Sequence, residues 1–332
     1  MKRIILIVAV LLQVVIVNTS KAQIDPHFSQ YYANPLWLNP ALTGVIDGNA
    51  RVNANFKDQW SSISNAYQTG AMSADFNPDD KVGIGFNMLD QAAGSAGYNY
   101  FTFYGSFSYG ISLSADGYQQ LRFGLQAGVI NRSFDESKLQ LDNQYNPLTG
   151  FDPTMPGNEN FSTTGATVFD AGAGIYYYNG EPDNKANFFG GLSVGHLSQP
   201  KDPFATQGIN TALPMRFTVH GGVRLQASDF LDITPHLIYI RQGNAQEKDL
   251  GVYGEFKSDN QTGFIVGGMY RFNDAAVADV GYHIQYFTLG LSYDINMSGL
   301  NAASHSQGGP ELSLSYVFHK QNQNRDVVCP RF

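Results

Sequence analysis

The sequence is short of charge and nearly without cysteine. Only 14% of its 332 residues are Asp, Glu, Lys or Arg, where a soluble domain carries about a quarter. A chain this poor in charge keeps much of its surface against an apolar surround, so it either assembles extensively or sits in lipid. Cys329 is its single cysteine, which excludes an internal disulfide and any disulfide scaffold. Beyond the first 22 residues there is no apolar run of 18. A helical span is therefore excluded, and a closed barrel is the remaining way to cross a bilayer. No phosphate-binding glycine loop or dinucleotide fingerprint occurs. The seven histidines, His27, His196, His220, His236, His283, His305 and His319, show no metal-ligand spacing. No cofactor is expected.

The chain opens with Lys2 and Arg3, an apolar stretch from Ile4 to Val17 broken only by Gln13, and the small residues Ser20 and Ala22 around Lys21. These are the parts of a cleaved export signal, with cleavage expected after Ala22. Gln23 follows rather than cysteine, so a lipoprotein anchor is not expected there. Removing Lys2, Arg3 and Lys21 from the 20 basic residues leaves 17 against 28 acidic, a net charge of −11. That balance argues against nucleic acid as a partner.

What the sequence has in quantity is glycine, 35 residues, and aromatic side chains, 13%. They fall into a period of two, the repeat of a strand. Phe217, Val219, Gly221, Val223 and Leu225 alternate with Arg216, Thr218, His220, Gly222 and Arg224. The same alternation runs through 49–57, 81–89, 119–131 and 311–319, and more weakly near 66–76, 98–109, 167–178, 187–196, 230–240, 249–256, 262–272, 276–284 and 287–296. These make 14 candidate strands, an even number, as a single-chain outer-membrane barrel requires. With strand one entering from the periplasm, the longest connections, 132–166, 197–214 and 297–310, all fall on the outer side. The compact ones at 77–80, 227–229 and 257–261 fall on the periplasmic side, where turns are short. Asp116-Gly117 and Asn179-Gly180 suit hairpin turns. Tyr98, Tyr100, Tyr104, Tyr109, Tyr176, Tyr177, Tyr178 and Tyr286 near strand ends suggest aromatic girdles.

The expected fold is thus an all-β transmembrane antiparallel barrel over 49–319, after a signal peptide at 1–22 and an N-terminal segment at 23–48, and before a polar tail at 320–332. Arg51, Arg122, Arg216, His220 and Arg224 share the non-lipid parity of their strands and are expected to face the lumen. They make either a cationic wall or one half of a set of internal ion pairs; the second is the plainer account, because a lumen must balance its charges in any case.

Two stretches invite a catalytic or metal reading. Gly191-Leu192-Ser193-Val194-Gly195, followed by His196, matches a nucleophile elbow, but that motif needs a strand-to-helix turn and no amphipathic helix follows. The acidic loop from Asp142 to Asn160 lacks the regular alternation of oxygen ligands that calcium loops show. A plain strand and a plain surface loop account for both, and no catalytic residue is assigned.

The segment from Gln23 to Gly44 follows neither period. Asp25-Pro26, Asn34-Pro35 and Asn39-Pro40 interrupt it, while Phe28, Tyr31, Tyr32, Leu36, Trp37 and Leu38 make it too apolar for a free tail. It is expected to pack at or in the barrel mouth. Its signature, Asp25-Pro26-His27-Phe28-Ser29-Gln30-Tyr31, then Asn34-Pro35-Leu36 and Asn39-Pro40-Ala41-Leu42-Thr43-Gly44, resembles the opening of the PorP/SprF family of type IX secretion and gliding proteins of Bacteroidota. The resemblance continues through Gln59-Trp60, Leu291-Ser292-Tyr293-Asp294-Ile295, Glu311-Leu312-Ser313-Leu314-Ser315-Tyr316 and Cys329-Pro330-Arg331-Phe332. Pro310 departs from the family, which usually has His before the glutamate. What the resemblance implies is a non-enzymatic barrel in outer-membrane lipid. It would work with type IX components and anchor or help export a large surface adhesin, through the adhesin or its C-terminal domain. A general porin or small-solute channel has the same strand physics and is the alternative.

Overall fold

The computed structural model describes residues 25–63, 67–152, 154–155, 157, 159, 163–201, 212–259 and 262–319. The expected signal peptide and the polar tail with Cys329 lie outside these residues. Among them, fourteen strands close into one antiparallel barrel. These are β1 (Ala50–Gln59), β2 (Tyr67–Phe76), β3 (Val82–Ala93), β4 (Tyr98–Ser112), β5 (Gln119–Ser133), β8 (Gly165–Asn179), β9 (Ala186–Gly195) and β10 (Arg216–Ser228), followed by β11 (Leu231–Gln242), β12 (Ala245–Asp259), β13 (Thr262–Arg271), β14 (Ala275–Ile284), β15 (Phe287–Asn296) and β16 (Gln307–Phe318). A small hairpin, β6 (Tyr145–Asn146) and β7 (Gly150–Phe151), stands in the connection between β5 and β8. Each strand pairs with its neighbour in sequence, and β1 closes the ring against β16, from Ala50 opposite Phe318 to Lys57 opposite Glu311.

Strand parity sorts the side chains. On β1, Val52 and Phe56 face out and are exposed, while Arg51, Asn53, Asn55 and Lys57 face in and are buried. Large exposed apolar side chains recur around the ring, among them Phe107, Leu125, Phe188, Leu250 and Leu312. An apolar outer band of this kind is stable only in lipid. The three long connections lie at one rim and the tight turns at 229–230 and 285–286 at the other. Four of the tyrosines assigned to girdles are not there. Tyr100, Tyr104, Tyr176 and Tyr178 sit on inward parity and are buried, whereas Tyr109 and Tyr286 are exposed. An aromatic near a strand end joins a girdle only if its parity faces lipid.

The inward tyrosines pack against the N-terminal segment. This segment makes a 3-10 turn at Tyr31–Ala33, a four-residue helix at Pro35–Leu38 and a second 3-10 turn at Pro40–Leu42. The prolines set those breaks, since Pro opens a helical turn readily and cannot continue one. Tyr31, Leu38, Ala41, Leu42 and Val45 form one apolar cluster with Tyr176, Tyr178, Phe189, Ile238 and Ile240 of the wall. Phe28 forms another with Ala71, Leu89, Tyr100, Tyr104 and Ile130. The segment therefore occupies the lumen itself. It runs from Asp25, bonded to Gln242 at the long-loop rim, to Gly44, bonded to Asp75 at the short-turn rim. Strand β1 starts at the short-turn rim, as the parity of the connections required, but Asp25 lies at the opposite one.

Candidate functional site

The plug and the wall it touches make the site. Ser29 and Gln30 donate their backbone N–H groups to the two carboxylate oxygens of Glu311, at 2.7 and 3.0 Å. The Gln30 amide donates to Ser292 and to the Glu311 carbonyl, and Ser313 donates to the Gln30 side-chain oxygen at 2.6 Å. Ser29 donates its hydroxyl to Asp294 at 2.6 Å. Lys57 lies 3.1 Å from Asp294 and 3.9 Å from Glu311, and Arg271 reaches Asp294 at 3.1 Å. All of these groups are buried. Three sequence stretches read separately, Phe28 to Tyr31, Leu291 to Ile295 and Glu311 to Tyr316, thus form one hydrogen-bonded knot across the β15–β16–β1 wall.

Farther along the plug, Asn39 accepts from the Ala41 N–H through its side-chain oxygen at 2.9 Å. Its amide donates to the carbonyls of Ile175 and Leu192 and lies 3.1 Å from His220 Nε2. His220 stacks on Tyr176 with ring centroids 5.6 Å apart. Pro35 and Pro40 are buried, each at the start of its turn. Asn34 is buried and its backbone carbonyl accepts from Trp37. Thr43 donates to Ser106 at 2.9 Å, and its carbonyl accepts from Ser108. The wall makes room for this chain with glycine. A β-carbon on Gly124 would collide with the backbone of Pro40 and Ala41, one on Gly83 with the Thr43 carbonyl, and one on Gly290 with the Gln30 side chain. Inward glycine in these strands marks close backbone approach.

The arginines singled out from parity each have partners of their own in the plug or the wall. Arg51 pairs with Asp75 at 2.9 Å. Arg224 reaches Asp232 at 2.6 Å, a carboxylate shared with Lys257. Arg216 lies 4.0 Å from Asp25 and stacks over the Trp37 ring at 5.1 Å. Arg122 donates to Ser108 at 2.9 Å and to the Thr43 and Lys81 carbonyls. Ser193 sits within β9, and its hydroxyl donates to the Leu38 carbonyl at 2.9 Å. Sequence reasoning assigned no role to Lys57, Asp170, His196, Arg271, Asp294 or Glu311, although His196 was weighed beside the elbow motif and Asp294 and Glu311 lie in the stretches of family resemblance. Lys57 shares the strand and parity of Arg51, so the same rule would have found it.

At the long-loop rim, His196 is held between two carboxylates, Asp25 at 2.5 Å and Asp170 at 2.7 Å. Tyr104 and Ser198 also donate to Asp170. Burial pushes the His196 imidazole down, but the Asp25 charge and the hydrogen bonds to Asp170 and Asp25 outweigh it and raise its pKa to about 9. Burial pushes the Asp25 carboxyl up, yet His196 and Arg216 hold it well below the usual carboxylate range. His27, 3.4 Å from Glu247, is pushed down by burial, and Arg271 and Lys57 add to that against the opposing charge of Glu247. The His196 stabilisation is full below its unfolded value near 6.5 and is lost as pH rises through about 9. We expect protease resistance of the Asp25 end to be full below about pH 6.5, to fall progressively between pH 6.5 and 9 and to level off above that, and to lose that dependence in His196→Gln. An unchanged profile in the variant would remove His196 as the cause.

Residues 20–316 match the family described as type IX secretion system membrane protein PorP/SprF. The chain belongs to the PorP/SprF family. It is a membrane β-barrel of the type IX secretion system, and the knot between Ser29, Gln30, Asp294 and Glu311 ties together stretches that carry the PorP/SprF resemblance. No curated protein matches the chain in sequence. Among solved structures, the Ralstonia pickettii toluene transporter TbuX is 12% identical with a TM-score of 0.52, covering 86% of this chain and 94% of that one. The CymD monoaromatic hydrocarbon channel is 12% identical with a TM-score of 0.50, covering 87% and 94%. At that identity the likeness is one of fold.

Proposed function

We propose that this PorP/SprF barrel is a non-enzymatic outer-membrane anchor that holds a secreted surface protein of adhesin type, or its C-terminal domain, at the long-loop rim. The observation that carries this reading is the plug. Two apolar clusters and hydrogen bonds to β2, β4, β8, β9, β15 and β16 hold it across the lumen. A barrel filled in this way is built to present its loops rather than to conduct. The connection between β5 and β8 supports the same reading, since its hairpin exposes Tyr145 and Leu148 as an apolar point for a partner. The exported state and cleavage after Ala22 are part of the proposal.

The alternative, a small-solute channel, draws on the fold shared with TbuX and CymD. Planar-bilayer recording of the purified barrel, joined to affinity capture from native outer membranes, separates the two. We expect a closed baseline and co-purification of a type IX substrate's C-terminal domain. Large, steady conductance with no captured protein would replace the anchor reading with the channel.

A further inference from the structure

Asp279 on β14 faces inward and is half-buried, yet no lysine or arginine among the described residues pairs with it. Its hydrogen bond comes from the Tyr32 hydroxyl of the plug, at 3.4 Å. The neighbouring bases are engaged elsewhere. Lys57 and Arg271 serve Asp294, and Arg224 and Lys257 share Asp232. Burying a carboxylate away from any counter-charge is costly, and such a group is ordinarily paired.

Its surroundings are aromatic. Gly267 on β13 stands opposite Tyr253 on one side and Asp279 on the other. A β-carbon on Gly267 would collide with the Asp279 carboxylate, so that carboxylate leans over the glycine toward Tyr253. Tyr253 lies 5.9 Å from Tyr32, ring centre to ring centre, and 5.7 Å from His236. Tyr31 meets Tyr32 edge-on at 5.6 Å. Electron-rich ring faces around one carboxylate are what an organic cation binds to. Tyr32, Tyr253 and Asp279 are half-buried, as are Arg224 and Lys257 toward the short-turn rim, whereas Arg271 and Asp294 toward the long loops are buried. The way in is therefore from the short-turn rim.

We propose that Tyr32, Tyr253 and Asp279 form a binding site for an ammonium or guanidinium group, entered from the short-turn side. That group is either a free small cation or a lysine or arginine side chain of a polypeptide. The site is independent of what the outer loops hold.

The test is calorimetric titration of the folded full chain in detergent. The probes are choline, its neutral isostere 3,3-dimethylbutanol, and an uncharged-ended tripeptide with a central arginine. Saturable binding of choline or of the peptide is expected, with the isostere weaker by about tenfold or more and Asp279→Asn losing a similar factor. Tyr253→Leu is expected to lose about three- to thirtyfold and serves if the Asp279 variant does not fold. Choline binding with no peptide binding assigns the site to a free cation, and the reverse assigns it to a polypeptide. Binding by neither cation, or equal binding of choline and its isostere, or cation affinity unmoved by the variants, overturns the proposal.

Discussion

Valine in place of Gly124 is expected to dislodge the plug and turn a closed barrel into a conducting one. The inward side of β5 at this position meets the backbone of Pro40 and Ala41, not the end of a flexible side chain. A clash with backbone at a 3-10 turn held by Asn39 and Thr43 has no cheap relief. Overpacking in a well-filled interior costs about 1–3 kcal/mol, and here it falls on the Asn39–Gly44 part of the plug, away from the ion-paired knot at Ser29 and Gln30. Gly70→Val is the control, because a β-carbon there meets nothing within 4 Å. Both variants are compared for single-barrel conductance and for protease cleavage between Asp25 and Gly48. We expect steady open current and rapid cleavage for Gly124→Val, and wild-type behaviour for Gly70→Val. A silent, resistant Gly124→Val barrel would mean that the segment does not lie against β5.

Most of the barrel was legible because lipid imposes a strict alternation on any strand that crosses it. Val82, Ile84, Phe86 and Met88 advertise their strand as clearly in the sequence as in the fold. Legibility faded where a strand outran the hydrocarbon. The alternation marks β12 only from 249, but the strand begins at Ala245, because there the outward side chains are Gln246 and Lys248 and the inward ones include Glu247. Polar residues on both faces erase the period. The site was less legible for a different reason. Lys57 meets Glu311 only because β1 closes on β16, and Ser29 meets Asp294 and Glu311 only because the plug folds back into the lumen; sequence periodicity gives the facing of a residue without its partner. Read from composition, an inward glycine fits a hydrated interior and a tightly filled one equally; in the fold, Gly83, Gly124 and Gly290 are the seats of the plug.

Removing the Lys57 charge is expected to be the most destabilising single change in the knot. Lys57 is 1% exposed, with its ammonium 3.1 Å from Asp294, 3.9 Å from Glu311 and 2.9 Å from the Ser29 hydroxyl. Lys57→Met keeps the bulk and leaves two buried carboxylates sharing what Arg271 can offer. Breaking a buried pair from one side costs about 3–5 kcal/mol, whereas removing both charges is often close to neutral. The measurement is the temperature at which the folded barrel loses its fast mobility on a cold gel, with urea unfolding beside it. Lys57→Met should unfold well below wild type, and Lys57→Met with Glu311→Gln should recover part of that loss. Glutamine can still accept one backbone N–H, so the plug's hold at Ser29 and Gln30 is weakened rather than erased. Losses that simply add in the double variant would mean that Lys57 stabilises the barrel by packing, and the electrostatic account of the knot would fall.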